Sequence, residues 1–395
     1  MRIYSISYQQ HNPQSDTQHI KFKFKMTKLF SAFKASSKGE WLAKVEKDLK
    51  GKPLTSLDWQ LNEQLAITPF AHAEDSSRTY QTINNHQTSN QWEIGVKVQV
   101  AQIKLANQEA LNALKNGATA ICFEFKKNPT KAEINILLKD IQLDWISTHF
   151  IFQQQAWKRV IEYFLAYLKV QQIDASMLDC SFSLKKNKFS DSKDTSVFKN
   201  LSKAKFLTIN ARPFYKGKEK VVDELAKAIT AGNEVLVMLN NTDLNVADYH
   251  KAIQFSIRLG DSYFLNIAKI RALKLLWQQV LMAWSISDEH IPDIEVHLDK
   301  TTQTTDENYN KIKATAQAMS AVVGGVKRLY IEPSDIFKND IGTPFAQRIA
   351  LNIQHLLQLE SYMDRVIDPS AGSYYIEQLT DTLAEAAWKE FQKVT

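Results

Sequence analysis

Ile253-Gln-Phe-Ser-Ile257 leads through Arg258-Leu-Gly260 into Tyr263-Phe-Leu-Asn-Ile-Ala-Lys-Ile-Arg271 and Leu275-Leu-Trp277. Apolar residues at alternate positions, closed by a glycine, predict a short strand. From Ser262 to Trp284 the apolar residues recur at helical spacing. A strand, a tight connection and a helix make one βα unit, and the same unit repeats in both directions. Further strands are predicted at Trp92–Val100, Ala120–Lys126, Ile146–Phe152, Phe206–Asn210, Val235–Asn240, Ile294–Leu298 and Leu329–Glu332. Helical patterns at Asn107–Asn116, Lys131–Asp140, Gln154–Val170, Val221–Ala231, Asn308–Val323 and Pro344–Tyr362 separate most of them. Eight strands alternating with helices predict an α/β fold, the (β/α)8 TIM barrel. A doubly wound open sheet also alternates, but no glycine-rich loop follows any strand.

Glycines punctuate this pattern. Asn116-Gly117 and Ala231-Gly232 each read as the close of a helix, and Gly324-Gly325 as a tight exit into the last strand. Asp174–Ser202 is polar and lysine-rich, and reads as a long excursion between the third and fourth strands. Near the N-terminus Ser37-Lys-Gly-Glu40 forms a capping box. Trp41, Leu42, Val45 and Leu49 then share one helical face, which Gly51 and Pro53 terminate. Residues 1–32 are expected to be a disordered or artefactual extension, with Met26 resembling a natural start. Residues 33–91 are expected to form an extended and helical arm for subunit contact, and residues 92–395 the barrel.

The 395 residues are 44% hydrophobic and 23% charged, the balance of a water-exposed globular chain. No apolar run reaches the length of a membrane helix, and Met1–His19 has no signal-peptide pattern, so a cytoplasmic location is expected. The net charge of +6 comes from interspersed charges of both signs. The dense basic runs, Lys21–Lys25 and Lys185–Lys188, read as an edge strand and a solvated loop, which argues against a nucleic-acid face. Cys122 and Cys180 lack partner spacing and are expected to be buried thiols. No nucleophile elbow, phosphate loop or paired metal motif is present, and no metal site is expected. His290 and His297 straddle Pro292 and read as a surface or satisfied core pair. Asp368 and Glu377 are two carboxylates of unknown separation, with Asp368 before Pro369 an ordinary turn opener.

The C-terminal stretch Asp368-Pro-Ser-Ala-Gly-Ser-Tyr-Tyr-Ile-Glu377 gives a turn fixed by Pro369 and Gly372, then a helix from Leu379 through Thr380-Asp-Thr-Leu-Ala-Glu-Ala-Ala-Trp388. Its wording resembles that of the cobalamin-dependent acyl-CoA mutases, the methylmalonyl-CoA mutase family. Phe255–Gly260 with Tyr263–Arg271 and Leu275–Trp277, and Ala318-Met-Ser-Ala-Val-Val-Gly-Gly325, resemble the same family in the same order. The likeness runs over about residues 33–395 and is strongest after Phe206. It implies a barrel whose catalytic members thread an acyl-CoA along the axis. In them a separate C-terminal domain holds adenosylcobalamin through the histidine of an Asp-x-His-x-x-Gly motif, and the cofactor supplies the radical.

Against that pattern three substrate-facing stretches differ. The family's Gly-Tyr-His-Met corresponds to Ala211-Arg212-Pro213-Phe214, and proline cannot replace a hydrogen-bonding side chain. Its Trp-Thr-Ile-Arg-Gln-Tyr corresponds to Trp92-Glu-Ile-Gly-Val-Lys97, placing Gly95 for the arginine and Lys97 for the tyrosine. Its His-Thr-Asn-Ala-Leu-Asp corresponds to Tyr330-Ile-Glu-Pro-Ser-Asp335. The chain as given ends at Thr395, where the family continues toward the cobalamin domain. Asp248-Tyr-His250 lacks the motif's glycine and reads as surface.

The resemblance therefore implies the small subunit of a heterodimeric mutase, which pairs with and supports a catalytic large subunit that binds adenosylcobalamin. No catalytic, cofactor-binding or metal-binding residue is expected on this chain. Lys269 and Arg271 are the candidates for touching a CoA phosphate, weighed against ion pairs with neighbouring helices. Larger side chains are expected to fill the barrel interior and leave no through-channel for CoA. The rival expectation is a divergent catalytic barrel that recruits cobalamin from another chain, with Arg212 or Lys97 in new roles. A barrel for a phosphorylated ligand is a third, but Asp299–Thr305 and Ile331–Asp335 offer no glycine-rich clamp.

Overall fold

The computed structural model describes residues 34, 36–75, 83, 88–152, 157–184, 201, 203–241, 246–286, 290–298, 300–339 and 341–394. Two compact units divide the chain between Leu54 and Thr55. In the first, α1 (Lys38–Asp48) carries the expected capping box. Ser37 Oγ accepts from Glu40 N at 3.2 Å, and the Glu40 carboxylate accepts from Ser37 N at 3.1 Å. No residue of α1 is buried, so the face of Trp41, Leu42 and Val45 lacks a core within its own unit. Residues 1–33 and the basic runs at 21–25 and 185–188 lie outside the described residues.

The second unit opens with an antiparallel hairpin, β1 (Trp59–Asn62) and β2 (Leu65–Ile67), whose Leu61 and Ile67 join the main core. The barrel then runs β3 (Glu93–Val100), α2 (Ile103–Lys115), β4 (Ala120–Phe125), α3 (Lys131–Leu137), β5 (Ser147–Phe152), α4 (Trp157–Gln171) and β6 (Cys180–Leu184). It continues with β7 (Leu207–Asn210), α5 (Val221–Asn240), α6 (Val246–Tyr249), β8 (Ile253–Arg258), α7 (Tyr263–Ala283) and β9 (Asp293–Leu298). Last come α8 (Glu307–Val323), β10 (Arg328–Ile331), α9 (Ile336–Asn339), α10 (Pro344–His355) and α11 (Tyr374–Gln392). The eight strands β3–β10 are parallel in the order β6-β5-β4-β3-β10-β9-β8-β7. A bridge between Ser181 and Lys205 brings the two ends of the sheet together, so the sheet nearly closes into the expected barrel.

Side-chain alternation sorts the two faces of this wall. Outward residues such as Ile121, Phe123, Phe125, Phe150, Phe152 and Phe182 enter the large core under the helices. Their rings stack from strand to strand, with Phe125–Phe152 at 5.5 Å, Phe150–Phe182 at 5.3 Å and Phe182–Phe206 at 6.0 Å. The inward positions are mostly polar or charged, among them Glu93, Lys97, His149, Ser181, Gln254, Glu295, His297 and Arg328.

Several expected boundaries change. Val235–Asn240 is the end of α5 rather than a strand, because Val235, Leu236 and Leu239 pack as one buried helical face. Gly232 lies inside that helix: a Cβ there would sit 2.5 Å from Trp277 Cζ3, so the glycine is required by the close packing of α7 on α5. The missing strand is β6, inside the stretch read as an excursion, where Phe182 faces the core and Ser181 and Ser183 alternate with it. Leu207–Asn210 is therefore the fifth strand of the barrel, not the fourth. His250 is buried rather than on the surface, edge-on to His290 at 5.6 Å. Phe264 is exposed, resting edge-on against Tyr263 and Tyr375. The helix expected to reach Tyr362 loses its α geometry after His355, in a π turn over Leu356–Glu360, and the last helix starts earlier, at Tyr374.

Gly117 (φ 92°) ends α2, and Gly325 (φ 74°) makes the tight exit before β10, both as read from sequence. Cys122 and Cys180 are buried free thiols, and burial pushes both well above the ordinary thiol range. No helix among the described residues is long and apolar enough to cross a membrane.

Candidate functional site at the barrel mouth

The C-terminal ends of the strands open into a cavity of about 730 Å³. In (β/α)8 barrels this is the end at which chemistry is built. The three stretches that set this sequence apart meet here: Gly95 and Lys97 from β3, Arg212 and Pro213 after β7, and Tyr330, Glu332 and Pro333 from the end of β10. Glu109, Glu124, Lys126, Arg258 and Arg348 complete the charged part of the wall.

Each substitution fits its neighbours. A Cβ on Gly95 would lie 2.5 Å from the Tyr330 ring, so the aromatic side chain takes the space over a residue without one. Lys97 forms an ion pair with Glu332 and stands 3.9 Å from Glu124, which also accepts from Gln99 Nε2 at 2.7 Å. Arg212 Nε donates to Asn210 Oδ1 at 3.1 Å, with Pro213 following it.

Below the mouth the interior is occupied by a buried charged network, the larger side chains expected inside the barrel. Arg328, fully enclosed, donates from Nε to Glu93 Oε2 at 2.5 Å and from Nη1 to Glu295 Oε2 at 3.2 Å. Glu295 Oε1 lies 3.1 Å from His297 Nε2, and the His297 ring stacks on Tyr330 at 4.4 Å. His149 Nδ1 meets Ser181 Oγ at 2.8 Å, with its Nε2 3.7 Å from Glu93. Burial alone would raise the carboxyls, but the Arg328 charge, with Lys327 and His149 nearby, holds Glu93 well below its ordinary range, and His297 and Arg328 do the same for Glu295. Burial, with the charges of Arg212 and Lys97, pushes His297 down to about 4. His297 is therefore neutral at pH 7, with Nε2–H donating to Glu295.

The two phosphate candidates lie elsewhere. Lys269, on the outer helix α7, is buried with its Nζ 2.9 and 3.0 Å from the Glu224 carboxylate and 2.5 Å from the Arg258 carbonyl. Arg271, one half-turn on, is bound by Asp368 and by Glu377 Oε1 at 2.7 Å. Both are held in ion pairs, and neither lines the cavity. The same geometry explains the Asp368–Glu377 stretch: its two carboxylates converge on one guanidinium. Gly372 N donates to Glu377 Oε1 at 2.9 Å and Ile83 N to Asp368 Oδ2 at 3.0 Å, tying the loop to α7 and to the N-terminal side of the barrel.

The cavity at this end of the barrel is walled by the stretches in which the sequence departs from the acyl-CoA mutase pattern, while the pattern itself runs through the helices and strands around it. The family model described as Methylmalonyl-CoA mutase matches residues 194–395. The chain belongs to the methylmalonyl-CoA mutase family. The methylmalonyl-CoA mutase small subunit of Porphyromonas gingivalis is 30% identical over 400 residues, covering 93% of this chain and 64% of that one. The methylmalonyl-CoA mutase of Rhizobium meliloti is 33% identical over 199 residues, 50% of this chain and 28% of its own. The small subunit of Streptomyces virginiae is 33% identical over 195 residues, 48% of this chain and 30% of its own. The chain thus spans less than two thirds of the length of each of these curated relatives. Among solved structures, the dihydropteroate synthase of Thermus thermophilus is similar with a TM-score of 0.38 at 14% identity, over 71% of this chain and 100% of that one.

Mutases of this family are cobalamin-dependent, and the residues described do not fit that group. Two Asp-x-His strings occur, ending in His250 and His290, and neither has the motif's glycine; His250 is buried in the turn before β8, at the opposite end of the strands from the cavity, with His290 beside it at 5.6 Å. Among the described residues no group of three or more His, Cys, Asp or Glu could hold a metal ion.

Sequence reasoning reached Gly95, Lys97, Arg212, Pro213 and the Tyr330–Asp335 stretch through the family pattern. It missed Glu124, Arg258 and the network beneath. Their signal was present: Gln254, Ser256 and Arg258, and likewise Glu295 and His297, place polar residues at a period of two on strands whose other face is apolar.

Proposed function

We propose that this chain is the small subunit of a heterodimeric, adenosylcobalamin-dependent methylmalonyl-CoA mutase, working in the cytoplasm on the interconversion of succinyl-CoA and methylmalonyl-CoA. In this reading it pairs with and supports a large subunit that holds the cofactor and does the chemistry, and is itself inactive. The observation that carries it is the mouth of the barrel: Tyr330 covers Gly95, Pro213 stands where the family has a hydrogen-bonding side chain, and Lys97 is paired with Glu332. The names of the Porphyromonas and Streptomyces relatives support the subunit assignment. Residues 33–91 would supply contact with the partner, and the unburied apolar face of α1 suits that role. Lys269 and Arg271 would act in packing alone.

The test is co-purification of this chain with a large mutase subunit, followed by titration of the isolated chain with a CoA ester and with cobalamin. Stable association without ligand binding supports the proposal. Saturable acyl-CoA binding by the isolated chain refutes it in favour of the second reading, a divergent catalytic barrel using cobalamin from another chain. The open cavity with Arg212 and Arg258 in its wall favours that alternative. Turnover with an added cobalamin-binding protein, abolished by Arg212→Ala, would establish it.

A further inference from the structure

The ring of helices around the strands has a gap. α2 packs on α3, α3 on α4, α7 on α8 and α8 on α10, but α10 and α2, which cover the neighbouring strands β10 and β3, part above their bases. At the base His355 Nε2 lies 3.2 Å from the Asn116 carbonyl oxygen. Above that point no hydrogen bond or ion pair among the described residues joins the two helices. The cavity at the mouth continues over the rim into this gap, which Glu109, Asn112 and Ala113 wall on one side and Arg348 and Leu351 on the other. Val96, partly exposed on the outward face of β3, is the floor.

Both helices follow strands of a parallel wall, so both run from the mouth to the base. Over their 13 and 12 residues the gap extends about 18 Å, room for about three turns of another helix laid between them. Leu105, one turn before Glu109 on the same side of α2, is 56% exposed and adds apolar surface at the open end. The charges on the two walls are unanswered. Glu109 is half-buried and forms no hydrogen bond or ion pair among the described residues, and burial alone pushes its carboxyl up. Arg348 lies over the Phe345 ring at 5.8 Å, with no carboxylate partner among the described residues. An acid and a base on opposite walls therefore do not meet across the gap. A half-buried carboxylate without a cation gains most from an occupant that brings one. Two helical walls over an apolar floor are the receiving half of a helix-in-groove contact.

We infer that the gap between α2 and α10 is a docking groove for an amphipathic helix of the large mutase subunit, its apolar face on Val96, Ala113 and Leu351 and a lysine or arginine on Glu109. The inference rests on the small-subunit reading. It adds a contact surface on the barrel itself, separate from the one proposed for residues 33–91. Charge complementarity selects the occupant: the helix carries its cation at the level of Glu109 and an acidic or polar residue toward Arg348.

The test is calorimetric titration of the full chain with a large mutase subunit, repeated with variants of the groove. Glu109→Gln is expected to weaken association about tenfold, the loss of one charge-assisted pair, and Glu109→Lys further, by like-charge repulsion. Asn112→Trp, at an exposed position on the wall, should fill the groove and weaken association at least as much. Thermal unfolding of each variant checks that it is folded, and Glu109→Gln, which keeps the shape of the side chain, decides the matter should Asn112→Trp misfold. Association unchanged in the folded variants would overturn the groove and leave the subunit reading in place. No association of the unaltered chain would overturn both. Self-association of the chain alone, abolished by Asn112→Trp, would give the groove to a second copy and overturn the assignment as well.

Discussion

Replacing Arg271 with methionine tests the idea that the Asp368–Glu377 stretch is a structural clasp. The guanidinium is 1% exposed and is bound by both carboxylates, themselves 4% and 5% exposed. Methionine fills much of the same volume, so the main effect is to strand two negative charges out of water with only two backbone donors and the Ser370 hydroxyl for company. Breaking a buried pair in this way costs about 3–5 kcal/mol. The unit that holds the barrel runs from Thr55 to Thr395. At about 2.1 cal/mol/K per residue, its unfolding entropy near the midpoint is about 0.7 kcal/mol/K, so a loss of about 4 kcal/mol lowers Tm by about 6 °C. The decisive comparison is the triple variant Arg271→Met, Asp368→Asn, Glu377→Gln, which removes the charges along with their partner. Thermal unfolding followed by circular dichroism should show it regaining at least half of the lost Tm. Arg271→Lys should fall between, since an ammonium cannot fork two carboxylates. A drop below about 1 °C in Arg271→Met, or a triple variant no better than the single, would refute the clasp.

Other outcomes follow from the same geometry. Alanine is a better helix former than glycine by about 1 kcal/mol, yet Gly232→Ala should destabilise by about 1–2 kcal/mol in denaturant titration, because its Cβ meets Trp277 at 2.5 Å. In a Trp277→Leu background the sign should reverse. Gly95→Ala should cost about 1–3 kcal/mol by the same measure, its Cβ meeting Tyr330 at 2.5 Å and the Leu329 carbonyl at 2.8 Å. Because burial holds His297 near 4, below its ordinary 6.5, the unfolded chain takes up this proton first. The stability it contributes is complete above pH 6.5 and is lost as pH falls to about 4, up to about 3 kcal/mol. A Tm series from pH 7.5 to 4.5 should decline in that window, and less steeply in His297→Gln.

The barrel was readable from sequence because most strands alternate and most helices show a 3.6-residue stripe. Two errors compensated in the strand count. Val235-Leu-Val-Met-Leu-Asn240 is an apolar run that either a strand or a buried helix end can own, and only the packing on Trp277 separates them. Cys180-Ser-Phe-Ser-Leu184 alternates properly but sits beside a lysine-rich stretch that masked it. Lys269 and Arg271 looked available because charge on a helix usually faces water. α7 is buried on nearly every side, and a buried cation persists there because a partner answers it: Glu224 for Lys269, Asp368 and Glu377 for Arg271, and the carbonyls of Gly324 and Gly325 for Lys274. The mouth was legible as a set of departures from a family pattern, whereas the distances that make Tyr330, Gly95, Lys97 and Glu332 one surface depend on strand register and on the twist of the wall.

The closure between β6 and β7 differs from every other junction in the wall. Elsewhere a continuous ladder joins neighbours, while at this seam the described main chain contributes two bonds, Phe182 N to Lys205 O at 3.0 Å and Lys205 N to Cys180 O at 2.8 Å. What spans the gap is the stacked pair Phe182–Phe206. The cylinder is therefore slit along one side and sealed by oil rather than stitched. Hydrophobic sealing weakens on cooling while a ladder does not, so the seam is the line along which this barrel loosens in the cold, with its other seven junctions intact.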